Sequence, residues 1–138
     1  MSPATRALVV AVCVFHVAAF VVEAFLWMQP GIHEFALDRI SDPSPLALHD
    51  RALVLRALFV NQGFYNLFLS GAGFAGLLLA KRGHVQAAYA LILYMCLSAV
   101  GAGLVLSLTT RAYAGAFLQA APAALALARM LPLARSAA

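Results

Sequence analysis

The sequence predicts an all-α fold, a transmembrane up-down four-helix bundle, from three observations. Of its 138 residues, 64% are hydrophobic and only 10% are charged. In ordinary soluble domains about 45–50% of the residues are apolar and about 25% are charged. The apolar residues are gathered into four stretches, each of about the length that crosses a bilayer. Two of the three connections are short turns, which make consecutive helices antiparallel neighbours. We therefore predict a single integral membrane domain over residues 1–138.

The four predicted spans follow one another closely. The first, residues 7–28, contains His16 and Glu23 and has no small-residue cleavage site, so we interpret it as a retained helix rather than a signal peptide. A proline-rich polar loop follows over residues 29–52, with a short interfacial helix around "IHEFAL". The turns "KRGH" and "TTRA" separate the remaining spans, which we place at about 53–80, 85–108 and 113–131.

The positive charges are scattered singly near the ends of the predicted spans. No basic run alternates with aromatic residues, so the net charge of +4 does not indicate nucleic-acid binding. Four antiparallel spans place five cations on the side of the two termini and four on the side of the polar loop. The positive-inside rule then predicts that both termini are cytoplasmic. The five cations on the side of the termini are Arg6, Lys81, Arg82, Arg129 and Arg135. The four on the side of the polar loop are Arg39, Arg51, Arg56 and Arg111. The loop acids, including Asp42, lie on this second side.

The string "NQGFYN", residues 61–66, places amides and a phenol inside an otherwise apolar span. Such groups, and a carboxylate such as Glu23, are costly in lipid unless they meet one another in the bundle interior. His16 and Glu23 recur on one helix face, but an i,i+7 pair is about 10.5 Å apart and needs a bridging group to interact. Counting residues from the loop side gives the depth of each polar side chain in the membrane and predicts a shared interior cavity with two layers. The layer nearer the loop side contains Glu23, Asn61, Gln62 and Gln119. The deeper layer contains His16, Tyr65 and Asn66.

Three blocks of sequence resemble a known family. The pattern H-x6-E-x-F-L-W-x-x-P runs from His16 to Pro30, "NQGFYNLFLSGAG" from Asn61 to Gly73, and "QAAPAALAL" from Gln119 to Leu127. In this order they resemble the DUF1304 family of small bacterial membrane proteins, over about residues 7–131. The resemblance implies a four-helix protein of the bacterial inner membrane and supports the polar residues above as a set. It implies no activity, and the connection between the first two spans is longer here.

One functional hypothesis is an intramembrane enzyme that acts on a small lipophilic substrate. Glu23 would be the general acid or base and His16 a proton relay, with Tyr65 as a third catalytic candidate. Isomerisation or hydrolysis fits best, since no cofactor motif is present. The candidates for ligand binding are Asn61, Gln62, Asn66, Gln119 and Trp27.

Two other hypotheses stay open at this point. The chain could be a carrier for a small polar or cationic molecule, which at this size would require a homo-oligomer, or an accessory protein whose polar residues only join helices. We predict no metal and no cofactor, with haem ligation by His16 as the weaker alternative. The loop histidines His33 and His49 are expected to be solvated, and Cys13 and Cys96 to be buried free thiols.

Overall fold

The computed structural model describes residues 1–40 and 44–135, and of 131–135 only the backbone. No strand occurs in these ranges, so the all-α prediction is confirmed. Asp42 and the side chain of Arg135, both used in the orientation argument, lie outside the described residues. The helices are α1 (Pro3–Val21), continued by a π-helical turn (Val22–Leu26), then α2 (Pro30–Leu37), α3 (Leu48–Lys81), α4 (Val85–Thr109) and α5 (Tyr113–Arg135).

Two helices begin earlier than predicted. α1 begins at Pro3 because the Ser2 hydroxyl accepts a hydrogen bond from the Thr5 N–H at 3.2 Å, and proline is well suited to a first helical position. α3 begins at Leu48 and has 34 residues. Its length of about 50 Å exceeds the ~30 Å of a bilayer core, so it tilts or extends beyond the hydrocarbon.

Among the described residues, three stretches are long and apolar enough to cross a membrane: Pro3–Leu26, Leu48–Lys81 and Val85–Thr109. They present large apolar side chains at the surface, as in Val54 at 70% and Leu108 at 85% exposure. Such a surface suits lipid better than water. α5 is not among the three, so the four-span bundle and its single domain stay predictions.

The long helices pack in a ring, in which α1 and α4 each contact both α3 and α5. Glycines of α3 let it approach its neighbours: a Cβ at Gly73 would collide with the sulfur atoms of Cys13 and Met95. Small residues have this role in many membrane helices. The main core comes from α1, α4 and α5, and consists of Val9, Val12, Cys13, Ile92, Met95, Cys96, Ala99, Ala123, Ala126 and Met130.

The two ends of the ring are distinct. At one, which we call the loop end, the Arg111 N–H donates to the Arg39 carbonyl at 2.9 Å and joins the α4–α5 turn to the segment after α2. At the other, the terminal end, Arg6 of α1 and Lys81 of α3 line one open groove. α1 and α3 therefore run in opposite directions, as the predicted up-down arrangement requires.

Candidate functional site

Glu23 lies in the π-helical turn that ends the first helix. Val22–Leu26 form this turn directly after α1, and single π-helical turns are frequent at functional sites. His16 lies on α1, two turns toward the terminal end, and is fully buried at 0% exposure. Glu23 is half-buried, so part of its carboxylate is accessible from outside the chain.

Gly63 of α3 allows α3 to approach this turn. A Cβ built at Gly63 would lie 3.1 Å from the Ala24 nitrogen and 3.2 Å from the Phe20 carbonyl oxygen. Both are backbone atoms, so a side chain at this position would push the two helices apart by a few tenths of an ångström. Asn66 follows three residues later on the same side of α3. The approach at Gly63 thus brings the Asn66 amide to Glu23.

Asn66 joins Glu23 to His16 by two hydrogen bonds. Its Nδ2 donates to Glu23 Oε2 at 2.7 Å, and its Oδ1 lies 2.9 Å from His16 Nδ1. An amide oxygen can only accept, so His16 Nδ1 carries the proton of this bond. The bridging group that the i,i+7 spacing requires is therefore the Asn66 side chain.

Two atoms at the ends of this chain of bonds have no hydrogen-bond partner among the described residues. His16 Nε2 is buried and makes no hydrogen bond within the described part of the chain. With the proton on Nδ1, the Nε2 of a neutral imidazole is an acceptor. Glu23 Oε1 also makes no hydrogen bond to a described residue, and its half-buried side chain leaves it available to another molecule.

Three other predicted site residues do not join this group. Asn61, Gln62 and Tyr65 are exposed, Tyr65 at 60%, and their side chains make no hydrogen bond among the described residues. Consecutive helical residues are separated by about 100°, so Asn61 and Tyr65 lie on a different face from Gln62 and Asn66. Gln119 on α5 is half-buried. The two expected layers therefore do not close into one interior cavity, and roles for these four residues stay predictions.

Trp27 has a packing environment of its own near the loop end. It is 2% exposed, its Nε1–H donates to the Ala52 carbonyl at 2.9 Å, and its ring stacks on Phe59 with centroids 3.5 Å apart. These contacts join the end of the π-helical turn to the start of α3. A role in ligand binding stays a prediction, while the observed contacts give Trp27 a structural one.

His33 is not solvated, so that expectation was wrong. It is 1% exposed, and its Nδ1 lies 3.2 Å from the Trp27 carbonyl oxygen. The spacing of His33 and Leu37, one turn apart in α2 and both buried, was the available signal. His49 lies against His33 with ring centroids 5.9 Å apart. The described residues contain no group of three or more metal-ligating His, Cys, Asp or Glu side chains.

The open groove at the terminal end is separate from this site. It has a volume of about 470 Å³ and lies between α1 and α3. Its lining consists of Arg6, Val10, Phe74, Leu77, Leu78 and Lys81. None of the predicted catalytic or ligand-binding residues is in this lining.

Comparison with known proteins supports the sequence resemblance. A family model described as "Protein of unknown function (DUF1304)" matches residues 9–131, which is most of the chain. No curated protein matches, and no solved structure matches. The matched range includes every residue of the Glu23, Asn66 and His16 group.

Proposed function

We propose, from the premise that the chain belongs to the DUF1304 family, that Glu23, Asn66 and His16 form an intramembrane acid–base site for a small lipophilic molecule. The observation that carries the proposal is the continuous chain of hydrogen bonds, 2.7 Å and 2.9 Å long, between two ionisable groups. Ionisable residues within membrane helices are costly and usually functional. The placement of Glu23 in a π-helical turn also favours a functional role, since such turns are frequent at functional sites.

Glu23 is the group that touches the substrate in this proposal. Its Oε2 is oriented by Asn66, while Oε1 is free to accept a proton from a bound molecule or a water. In an isomerisation, Glu23 takes a proton from one substrate atom and returns it to another. In a hydrolysis, it takes the proton of the attacking water and delivers it to the leaving group.

His16 and Asn66 are positioning residues for this chemistry. The Asn66 amide holds the carboxylate, and His16 in turn holds Asn66, as supporting hydrogen bonds do in preorganised sites. Gln62 lies one turn from Asn66 on the same face of α3 and is exposed. Of the remaining predicted residues it is the best placed to bind a polar group of the substrate.

Binding of a cationic molecule is the second candidate. The half-buried Glu23 carboxylate with one free oxygen would serve as its counter-charge. An accessory role is the third, because the same two hydrogen bonds join α1 to α3. The three differ in what they require of Glu23: a proton acceptor, a negative charge, or only a hydrogen-bond acceptor.

Glu23→Gln separates these candidates, because a glutamine carbonyl can still accept the Asn66 bond. Small molecules that co-purify with the wild type and the variant are identified by mass spectrometry, in ordinary water and in deuterium oxide. An acid–base enzyme retains its molecule in both proteins but incorporates deuterium only in the wild type. A cation carrier loses the molecule in the variant. Finding no bound molecule in either protein contradicts the proposal. Glu34→Gln, at an exposed acid of α2, is the matched control.

A further inference from the structure

We propose that α3 pairs with the α3 of a second copy of this chain, in a parallel two-fold dimer within the membrane. The pairing surface is one stripe along α3, which we call the heptad face. Six of its eight residues are exposed, and the other two, Ala72 and Leu79, are half-buried. Its members are Val54, Leu58, Asn61, Tyr65, Phe68, Ala72, Ala75 and Leu79.

The spacing of the heptad face is that of a coiled-coil seam. Its residues follow at alternating intervals of four and three, an average of 3.5 residues, which keeps a stripe facing a partner helix along its whole length. Exposure is high along it, at 65% for Leu58, 60% for Tyr65 and 65% for Phe68. The side of α3 that packs within the chain is a different one, with Gly63, Asn66, Ser70 and Gly73 buried.

Asn61 is the residue that requires a partner. It lies close to the middle of the 34-residue α3 and is exposed, with Leu58 before it and Tyr65 after it on the heptad face. Its amide makes no hydrogen bond to any described residue. Lipid offers no donor or acceptor, so an amide facing the acyl chains is left unsatisfied. The amide of a second Asn61 satisfies it, because each amide has both a donor and an acceptor.

The symmetry follows from the membrane. Two copies with the same orientation are related by a two-fold axis along the membrane normal, and such an interface places each residue of the axial stripe opposite itself. Asn61 then meets Asn61, with Leu58 and Tyr65 packed on either side. A single asparagine in an apolar seam sets register and favours one arrangement over others. Ala72 and Ala75 allow close approach toward the terminal end.

The matched pair Asn61→Leu and Gln62→Leu tests this pairing. Both replace an exposed amide of α3, but only Asn61 lies on the heptad face. Association is measured by energy transfer between labelled copies in phosphatidylcholine vesicles over a range of lipid dilutions. We expect Asn61→Leu to weaken association about three- to tenfold and Gln62→Leu to leave it unchanged. Equal effects of the two, no effect of either, or a wild type that is monomeric at every dilution overturns the proposal.

Disulfide cross-linking tests the register without removing the amide. Single cysteines at Leu58 and Phe68 lie on the heptad face, whereas Phe64 and Phe74 are exposed on α3 outside it. The native thiols of Cys13 and Cys96 are buried, so the wild type is the blank. We expect cross-linked dimers from the first two positions and not from the other two. Cross-linking that is equal at all four positions contradicts a heptad seam. Neither measurement depends on Glu23 or on the proposed function.

Discussion

Asn66 connects two ionisable groups because its side chain carries a donor and an acceptor on one planar amide. The donor meets a carboxylate oxygen of Glu23 and the acceptor meets His16 Nδ1–H. An aspartate would place a second acceptor against Glu23, and a leucine would leave both partners unsatisfied. Asn66 is 7% exposed, so water does not readily replace a lost bond. The amide therefore contributes to stability as well as to the orientation of Glu23.

We expect Asn66→Leu to lower the free energy of unfolding by about 2 kcal/mol, since it leaves buried polar groups on two helices without partners. Asn61→Leu is the matched control, because Asn61 makes no hydrogen bond to a described residue and its loss should change stability by less than about 0.5 kcal/mol. Both are measured by thermal unfolding in detergent at a concentration at which the chain is monomeric. Equal stability of the two variants would show that the Asn66 bonds contribute nothing measurable.

The contact between α1 and α3 depends on a π-helical turn and a glycine that face each other. Gly63 approaches the backbone of Phe20 and Ala24 to 3.2 Å and 3.1 Å, measured from the position of a Cβ. The π-helical turn adds to the first helix a residue that an α-helix would not have, and so rotates the residues after the turn relative to those before it. The hydrogen-bond chain through Asn66 is built on this contact between helices.

Gly63→Ala should destabilise the protein by about 1–3 kcal/mol, because its methyl group meets backbone atoms that cannot rotate away. Gly71→Ala is the matched control on the same helix, since a Cβ there has nothing within 4 Å. Alanine forms helices better than glycine, so Gly71→Ala should leave stability unchanged or raise it by up to about 1 kcal/mol. Thermal unfolding in detergent compares the two. A Gly63→Ala protein as stable as Gly71→Ala would mean that the helices separate at little cost.

The sequence predicts the positions of the long helices because short polar segments separate their apolar stretches. It also predicts that His16 and Asn66 share one layer, with Glu23 in the next layer toward the loop side, since depth depends only on residue counts. Rotation about the helix axis is harder to predict. Asn61 and Asn66 are both amides in one short string, yet one is exposed and the other is buried against α1. Nothing local distinguishes them, because the position of the neighbouring helix decides which face is interior.

The π-helical turn could not be predicted for a related reason. Val22–Leu26 is an ordinary apolar string apart from Glu23, and both an α-helix and a π-helical turn can satisfy its backbone. Packing of Trp27 against Phe59 and Ala52 constrains the end of this turn from outside it. The structure of the segment is thus decided by tertiary contacts rather than by its own residues.

At the scale of the whole molecule, the path of α5 determines the number of membrane crossings. α5 begins beside the turn that Arg111 joins to Arg39 at the loop end. Near its other end, Ala126 and Met130 are buried in the same core as Val9 of α1, and Val9 lies near the terminal end. α5 therefore runs from the loop end toward the terminal end, where it packs against α1. If α1 crosses the membrane, as its length and composition allow, we expect α5 to cross as well.

This path predicts that residues before and after α5 face opposite sides of the membrane. We expect a fluorescent-protein fusion after Ala138 to fluoresce in the cytoplasm, because the positive-inside rule places both termini there. A phosphatase fused after Thr110, in a chain that ends before α5, should be active outside it. Exchanging the two reporters between the two positions is the control, and each should then be silent. Both fusions reporting the same side would show that α5 lies along the ring without crossing. The chain would then have three spans and its termini would face opposite sides. The orientation would have to be argued from the cations before α5 alone, among them Arg6 and Lys81.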